Sequence, residues 1–414
     1  MRRTWRSGGT AIGIALLAVI TPSCSPDVGP AGPVTAGERC STLPDTGPLV
    51  AEQSTIFQGG DGRYPVYRIP AVATTGSGVV LAFAEGRPSI DDPGSGRIDV
   101  VMRRSLDCGR TWEPLVVLAD NGAGDAHNPT VVMAPGPDGT PTANLFYNQR
   151  PDHPGGEFDI PAGLATSWVR TSTDDGATWS APREITGIAD PAWRVVSFGP
   201  GQAVVTRWGT DSSPAGRIIV PGWYSIDGEP GEGSFVMHSD DGGATWQRGG
   251  LPEGGTSEAQ VLELSDGTVL LDARGGSTRV IFRSTDGGDT WSAPVEGLAM
   301  SSVMSGVLRD RATRDGDTVD RIWHTGVSTG GRYDLRIWSS SDEGTTWTAP
   351  TVLQRGAAQY SMLTPLGDGT LAAVHESVCV CADPDSGDYR AALGVRLLRF
   401  DPDRIAPAGA AARR

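Results

Sequence analysis

The sequence predicts an all-β chain folded as a six-bladed β-propeller. Three observations carry that prediction. One pattern, S-x-D-x-G-x-T-W, recurs five times, starting at Ser105, Ser172, Ser239, Ser284 and Ser340. The intervals of 67, 67, 45 and 56 residues between those starts each have room for several short strands. Gly 57 and Pro 31 in 414 residues suit strands joined by turns, and no helical period interrupts the body. Five patterned units and a terminal unit without the pattern make six.

The pattern has the chemistry of a hairpin turn. In Ser105-Leu-Asp107-Cys-Gly109-Arg-Thr111-Trp112, the Ser and Asp side chains can bond backbone amides, the Gly can take positive φ, and the Trp folds back as an apolar plug. Strand-like runs flank it, Ile98–Arg103 before and Leu115–Leu118 after. The expected role of all five is to tie turns, not to do chemistry. A second repeat, Ser265-Asp-Gly-Thr-Val-Leu-Leu271 and Gly367-Asp-Gly-Thr-Leu-Ala-Ala373, with Gly76-Ser-Gly-Val-Val-Leu-Ala82 as a looser copy, reads as turns leading into apolar strands.

Ahead of the body, Arg2, Arg3 and Arg6 precede an apolar run from Ala11 to Ile20 that ends in small residues at Cys24. Residues 1–24 are therefore expected to be an export signal, too short for a permanent membrane helix. Thr21-Pro22-Ser23-Cys24 resembles a bacterial lipoprotein cleavage site, so the expected location is secreted or anchored outside the cell through Cys24. Residues 25–48 read as a flexible linker, 49–402 as the propeller, and 403–414 as a disordered tail. Apart from Cys24 the cysteines are Cys40, Cys108, Cys379 and Cys381, enough for two disulfides. Because propeller ends meet, a bridge from Cys40 to Cys379 or Cys381 is expected.

Several chemistries are disfavoured. A net charge of −15 with pI near 4.8 argues against a nucleic-acid partner. The chain has no lysine, which removes Schiff-base catalysis and the phosphate-loop lysine. His127, His153, His238, His324 and His375 form no ligand-spaced cluster, and Cys379-Val-Cys381 lacks the second half of a zinc site. No metal and no cofactor are expected.

The informative residues are arginines and acids in unusual settings. Arg68 lies between apolar neighbours in Tyr67-Arg-Ile-Pro70. Arg274 ends the run Val269–Leu271 through Asp272-Ala-Arg274. Arg332 follows Thr325-Gly-Val-Ser-Thr-Gly-Gly331. Glu258 precedes a strand, Glu376 ends one, and Tyr360 stands among small polar residues in Ala358-Gln-Tyr-Ser361.

Together, the Tyr-Arg-Ile-Pro stretch and the five Asp boxes resemble the bacterial sialidase (exo-α-neuraminidase) family over about residues 50–400. The resemblance implies a six-bladed propeller and a retaining glycosidase of terminal sialic acids. It implies that Arg68, Arg274 and Arg332 hold the sugar carboxylate and that Glu376 buttresses Arg68. It implies that Tyr360 is the nucleophile and Glu258 its base. The acid/base aspartate falls in Ser89-Ile-Asp-Asp-Pro-Gly94, where Asp91 and Asp92 both qualify and Asp92 is chosen. Glu85, Arg87, His127-Asn128-Pro129 and Phe198-Gly-Pro-Gly-Gln202 are softer matches. A neutral phenol suits this substrate, because an anionic nucleophile would be repelled by the carboxylate on the reacting carbon. Implied partners are sialylated glycoproteins, glycolipids or oligosaccharides. The alternatives are a glycan-binding propeller without catalysis and a trans-sialidase.

Overall fold

The computed structural model describes residues 48–89, 97–153, 160–226, 233–378 and 393–406. Apolar runs of five to eight residues, punctuated by glycine-bearing turns, become antiparallel strands. The chain starts with β1 (Val50–Phe57). A first sheet follows in chain order, β2 (Val66–Thr74), β3 (Val80–Arg87), β4 (Asp99–Ser105) and β5 (Val116–Ala119). A second holds β6 (Asp125–Pro135), β7 (Pro141–Arg150), β8 (Thr166–Ser172) and β9 (Arg183–Glu184). The third runs β10 (Val195–Phe198), β13 (Ile218–Ser225), β14 (Gly233–Ser239) and β15 (Gln247–Arg248). Two short strands lie between β10 and β13: β11 (Gly201–Gln202) adds in parallel to β6, and β12 (Val204–Val205) pairs with β13. The fourth holds β16 (Ala259–Glu263), β17 (Val269–Arg274), β18 (Thr278–Ser284) and β19 (Val295–Ala299).

The last sheet is wider than the others, with seven strands. It contains β20 (Val307–Arg311), β21 (Arg321–Gly326), β22 (Tyr333–Ser340), β23 (Thr351–Pro365), β24 (Leu371–Val378), β25 (Leu393–Phe400) and finally β1. The cause is the 15-residue β23, whose first half pairs with β22 and whose second half pairs with β24. Among the described residues the hydrogen-bonded sheets therefore number five; six four-stranded sets emerge only by dividing the wide sheet at β23. The fold is a β-propeller. The leading strands neighbour one another, β2 with β6 and β23, β6 with β10, β16 with β20, and β20 with β23. β1 closes the ring by pairing with β25, so the first and last strands share one sheet.

The five boxes all build the same turn. In each, the Ser Oγ accepts from the Gly amide and donates to the Asp at 2.7–2.8 Å. The Asp in turn accepts from the Thr amide and from the Thr hydroxyl, the latter at 2.6 Å. The Gly takes positive φ in every copy. Each Trp packs on a different apolar cluster between neighbouring sheets; Trp179 meets Phe83 edge-on at 5.8 Å and Trp246 meets Phe146 at 5.1 Å. The boxes thus staple blade to blade, on the opposite ends of the strands from Arg274.

Residues 403–405, expected to begin a disordered tail, lie in a short helix, α1 (Pro402–Ile405). Asp401 caps it by accepting from the Asp403 amide at 2.9 Å, and Asp403 pairs with Arg321 at 2.8 Å and with Arg311 at 2.6 Å. Cys108 is buried and disulfide-bonded. The other four cysteines, and with them the expected bridge from Cys40 to Cys379 or Cys381, lie outside the described residues, as does the export signal. Among the described residues no helix is long and apolar enough to cross a membrane.

The boxes differ in burial, which gives a test. Asp107 is buried whereas Asp241 is exposed, although both accept from the Ser hydroxyl and the Thr amide and hydroxyl of their box. Asp107→Ala is expected to cost about 2–3 kcal/mol, since buried amides and hydroxyls lose a charged acceptor. Asp241→Ala is expected to cost about 1 kcal/mol or less, because water replaces the acceptor. Denaturant melts of the two variants check this, and equal losses would contradict it.

Candidate active site

The candidate site is assembled from chain segments far apart in sequence. Glu258 lies just before β16 and Arg274 is the last residue of β17. These strands pair antiparallel, and the Arg274 amide donates to the Glu258 carbonyl at 2.7 Å. The two side chains consequently leave the sheet together, and Arg274 Nη1 meets Glu258 Oε2 at 2.7 Å.

Tyr360 arrives from β23. Its hydroxyl donates to the Glu258 carboxylate, whose oxygens lie 2.8 and 2.7 Å away. It accepts from Arg274 Nη1 at 2.8 Å. Burial, reinforced by the Glu258 charge, pushes the phenol far above its ordinary pKa; Arg274 and Arg68 pull against this without reversing it. Tyr360 is therefore a neutral donor at physiological pH. For Arg274, burial lowers the pKa, but Tyr360 and Glu258 outweigh burial and hold it above its ordinary value.

Arg68 stands where β2 bulges. The β2–β3 register shifts between Arg68 and Ala71, and Ile69 takes φ 58°. For a β-branched residue that conformation costs on the order of 1–3 kcal/mol. Glu376, fully buried on β24, holds it: Oε1 accepts from the Ile69 amide at 2.7 Å and lies 3.3 Å from Arg68 Nε. The Arg68 guanidinium sits 5.6 Å from the Tyr360 ring centroid. The same device recurs one sheet on. Asn128, before Pro129, has φ 53°, and its amide donates at 2.7 Å to Glu85, itself fully buried on β3. The other Glu85 oxygen binds Arg87 at 2.6 Å.

Arg332 precedes β22 and is exposed. Its guanidinium lies 5.9 Å from the Tyr360 ring centroid. Arg68, Arg274 and Arg332 thus surround one tyrosine, and Glu258 and Glu376 hold two of them. Asp91 and Asp92 lie outside the described residues. Among the described residues no group of three or more His, Cys, Asp or Glu is arranged to hold a metal ion.

Two residues at the cluster were not singled out from the sequence. Ser302 Oγ accepts from Arg274 Nε at 2.8 Å, and its carbonyl faces Arg332 Nη2 at 3.5 Å. Gln359 Oε1 accepts from Arg332 Nη1 at 2.8 Å and faces Arg68 Nη2 at 3.5 Å. Ser302 falls in no motif. Gln359 adjoins Tyr360, but simple strand alternation would send it to the other face. The arrangement as a whole can take a proton from a phenol with Glu258, stabilise the resulting oxyanion with Arg274, and present guanidinium groups to a carboxylate.

Comparison with known proteins identifies the family. Residues 78–373 match the family model described as a BNR repeat-like domain. A sialidase of Micromonospora viridifaciens is 34% identical over 370 residues, covering 84% of this chain and 55% of that protein. A sialidase of Bacteroides fragilis is 30% identical over 359 residues, covering 78% of this chain and 62% of that protein. The chain thus spans little more than half the length of these curated relatives. Among solved structures, a Hadza microbial sialidase has a TM-score of 0.73 at 24% identity, covering 86% of this chain and 69% of that one. The intramolecular trans-sialidase of Ruminococcus gnavus has a TM-score of 0.69 at 18% identity, covering 84% of this chain and 97% of that one. The structural likenesses bear on the fold.

His375, beside Glu376, gives a pH test. Burial pushes its pKa down to about 4, with the Glu376 carbonyl bond pulling weakly upward. Between pH 6.5 and 4 the unfolded chain binds a proton here that the folded chain refuses, so stability falls as the pH drops through that window. The loss at pH 4 is about 3 kcal/mol. Denaturant melts across that window should show a shallower decline in His375→Gln than in the parent, and parallel declines would contradict the assignment.

Proposed function

The chain belongs to the bacterial sialidase family with Asp-box repeats, and on that premise we propose that it is an exo-α-sialidase. It releases terminal sialic acids from glycoproteins, glycolipids or oligosaccharides, with retention, through a tyrosyl-enzyme intermediate. The observation that carries the reading is the Tyr360 hydroxyl held between the Glu258 carboxylate and the Arg274 guanidinium. A propeller that only binds glycans has no use for a buried phenol against a base.

The anomeric carbon of a sialoside bears a carboxylate, which Arg68, Arg274 and Arg332 grip and orient. Glu376 keeps Arg68 in place. As the Tyr360 oxygen attacks the anomeric carbon, its proton passes to Glu258. Asp92 gives its proton to the departing glycosidic oxygen, so no strong base leaves. In the second step the Asp92 carboxylate takes a proton from water, and the water oxygen displaces Tyr360. The phenolate recovers its proton from Glu258. Two displacements at one carbon return the original configuration. Arg274 offsets the charge that gathers on the phenol oxygen in both steps. A glycan acceptor in place of water would make the enzyme a trans-sialidase.

Export is part of the same proposal, through a signal at residues 1–24 and an anchor at Cys24. The disulfide at Cys108 supports an oxidising compartment.

The functional test is fluorophore release from an aryl α-sialoside, run beside aryl glucosides and galactosides. Release from the sialoside alone is expected, and release only from a neutral sugar would overturn the reading. Arg274→Lys keeps the charge but not the fork and should lower kcat/KM by on the order of a hundredfold. Asp92→Asn should fail on natural sialosides yet retain more activity on activated aryl ones. If Asp91→Asn alone behaves that way, the acid is Asp91.

A further inference from the structure

Gln359 occupies a place that the catalytic scheme does not use. Its amide oxygen lies 2.8 Å from Arg332 Nη1 and 3.5 Å from Arg68 Nη2. Both guanidinium groups also lie against the Tyr360 ring, at 5.9 and 5.6 Å from its centroid. One neutral acceptor therefore stands between two of the three arginines assigned to the substrate carboxylate.

The backbone explains how it gets there. Ala358 pairs with Ser377 and Ser361 with His375, so Gln359 and Tyr360 together oppose the single residue Glu376. Such a bulge releases the strict alternation of a strand, and two consecutive side chains reach the same cluster. The amide must present its oxygen there, because both neighbours are pure donors.

We propose that Gln359 is a placeholder for the substrate carboxylate, a positioning residue that keeps Arg68 and Arg332 spaced around an acceptor while the site is empty and yields that place when sialic acid binds. The inference rests on the sialidase reading given above. Two guanidinium groups converging on bare solvent would repel and spread, and the cluster would then have to be reassembled at each binding event. An acceptor between them removes that cost. A neutral acceptor suits the task better than a carboxylate. Exchanging an amide for the substrate carboxylate replaces a neutral acceptor with an anionic one, which adds ion pairing to both guanidinium groups. Displacement is therefore downhill. The side chain is also free to leave: it is only partly buried, it has three rotatable bonds, and its contact with Arg68 is long.

The test separates a placeholder from a fixed strut by steady-state kinetics on an aryl α-sialoside with Gln359→Glu and Gln359→Ala. The glutamate is an internal carboxylate that competes with substrate for the same arginines, so its KM should rise at least about tenfold while kcat at saturation is retained. The alanine leaves nothing to displace, so its KM should stay at or below that of the parent. A KM above the parent's in Gln359→Ala would overturn the proposal, since it would mean that the amide works beside the bound substrate. An unchanged KM in Gln359→Glu would overturn it equally. Thermal melts of both variants confirm that each is folded, and the alanine arm decides alone if the glutamate variant is not. Turnover by the parent enzyme reports on the sialidase reading separately. With that turnover present, only the KM values bear on Gln359.

Discussion

A neutral phenol pressed against a carboxylate is the interaction on which the rest of this site depends. Burial alone would leave Tyr360 inert, because it raises the pKa of the hydroxyl beyond the reach of solvent base. In the proposed mechanism the missing base is Glu258, whose carboxylate lies 2.7 Å from the hydroxyl, and Arg274 binds both partners. Each of the three needs the others. Without Arg274, Glu258 would be a buried anion facing only a hydroxyl; without Glu258, Arg274 would lack its counter-charge. The pairing of β16 with β17 brings the acid and the arginine out side by side, and the long β23 brings the tyrosine to them.

The same logic of buried carboxylates runs around the ring. Glu376 on β24 and Glu85 on β3 each reach over to the next leading strand and accept a backbone amide there. At each contact the residue whose amide is accepted, Ile69 or Asn128, has positive φ and directly precedes a proline. In one case the second contact is Arg68, in the other Arg87. The strain of the bulged backbone is thus held by groups that also aim arginines. That explains why an isoleucine tolerates φ 58° at this point: the conformation turns Arg68 inward, and a fully buried glutamate fixes it. Asp boxes do the complementary work at the opposite ends of the strands, where their tryptophans join neighbouring sheets.

Much of this was legible in the residues, for reasons that can be named. The boxes were readable because Ser, Asp, Gly, Thr and Trp each have one job in the turn, and the structure shows all five jobs. Arg68 was conspicuous because an arginine between apolar neighbours and a proline has no ordinary surface explanation. The position of Glu258 against Arg274 could be guessed only from the resemblance, since nothing local links residues 16 apart across a hairpin until the register is known. Gln359 was hidden by the assumption of strict alternation, which a bulge cancels. The merging of two strand sets into one sheet was hidden too, because Thr351–Pro365 reads as two short apolar runs and not as one strand serving two neighbours. The helical turn at Pro402–Ile405 was lost in an Ala/Arg-rich tail whose ion pairs, Asp403 with Arg311 and Arg321, span more than 80 residues of sequence.

The central claim is that the Tyr360 oxygen forms a bond to the sugar. Incubation with a 2,3-difluoro sialic acid, which slows release of the intermediate, followed by proteolysis and mass spectrometry of the peptides, tests it directly. The account predicts a single sialyl adduct on the peptide carrying Tyr360, lost in Tyr360→Phe. An adduct on a carboxylate, or no adduct from an enzyme that hydrolyses sialosides with inversion, would contradict it.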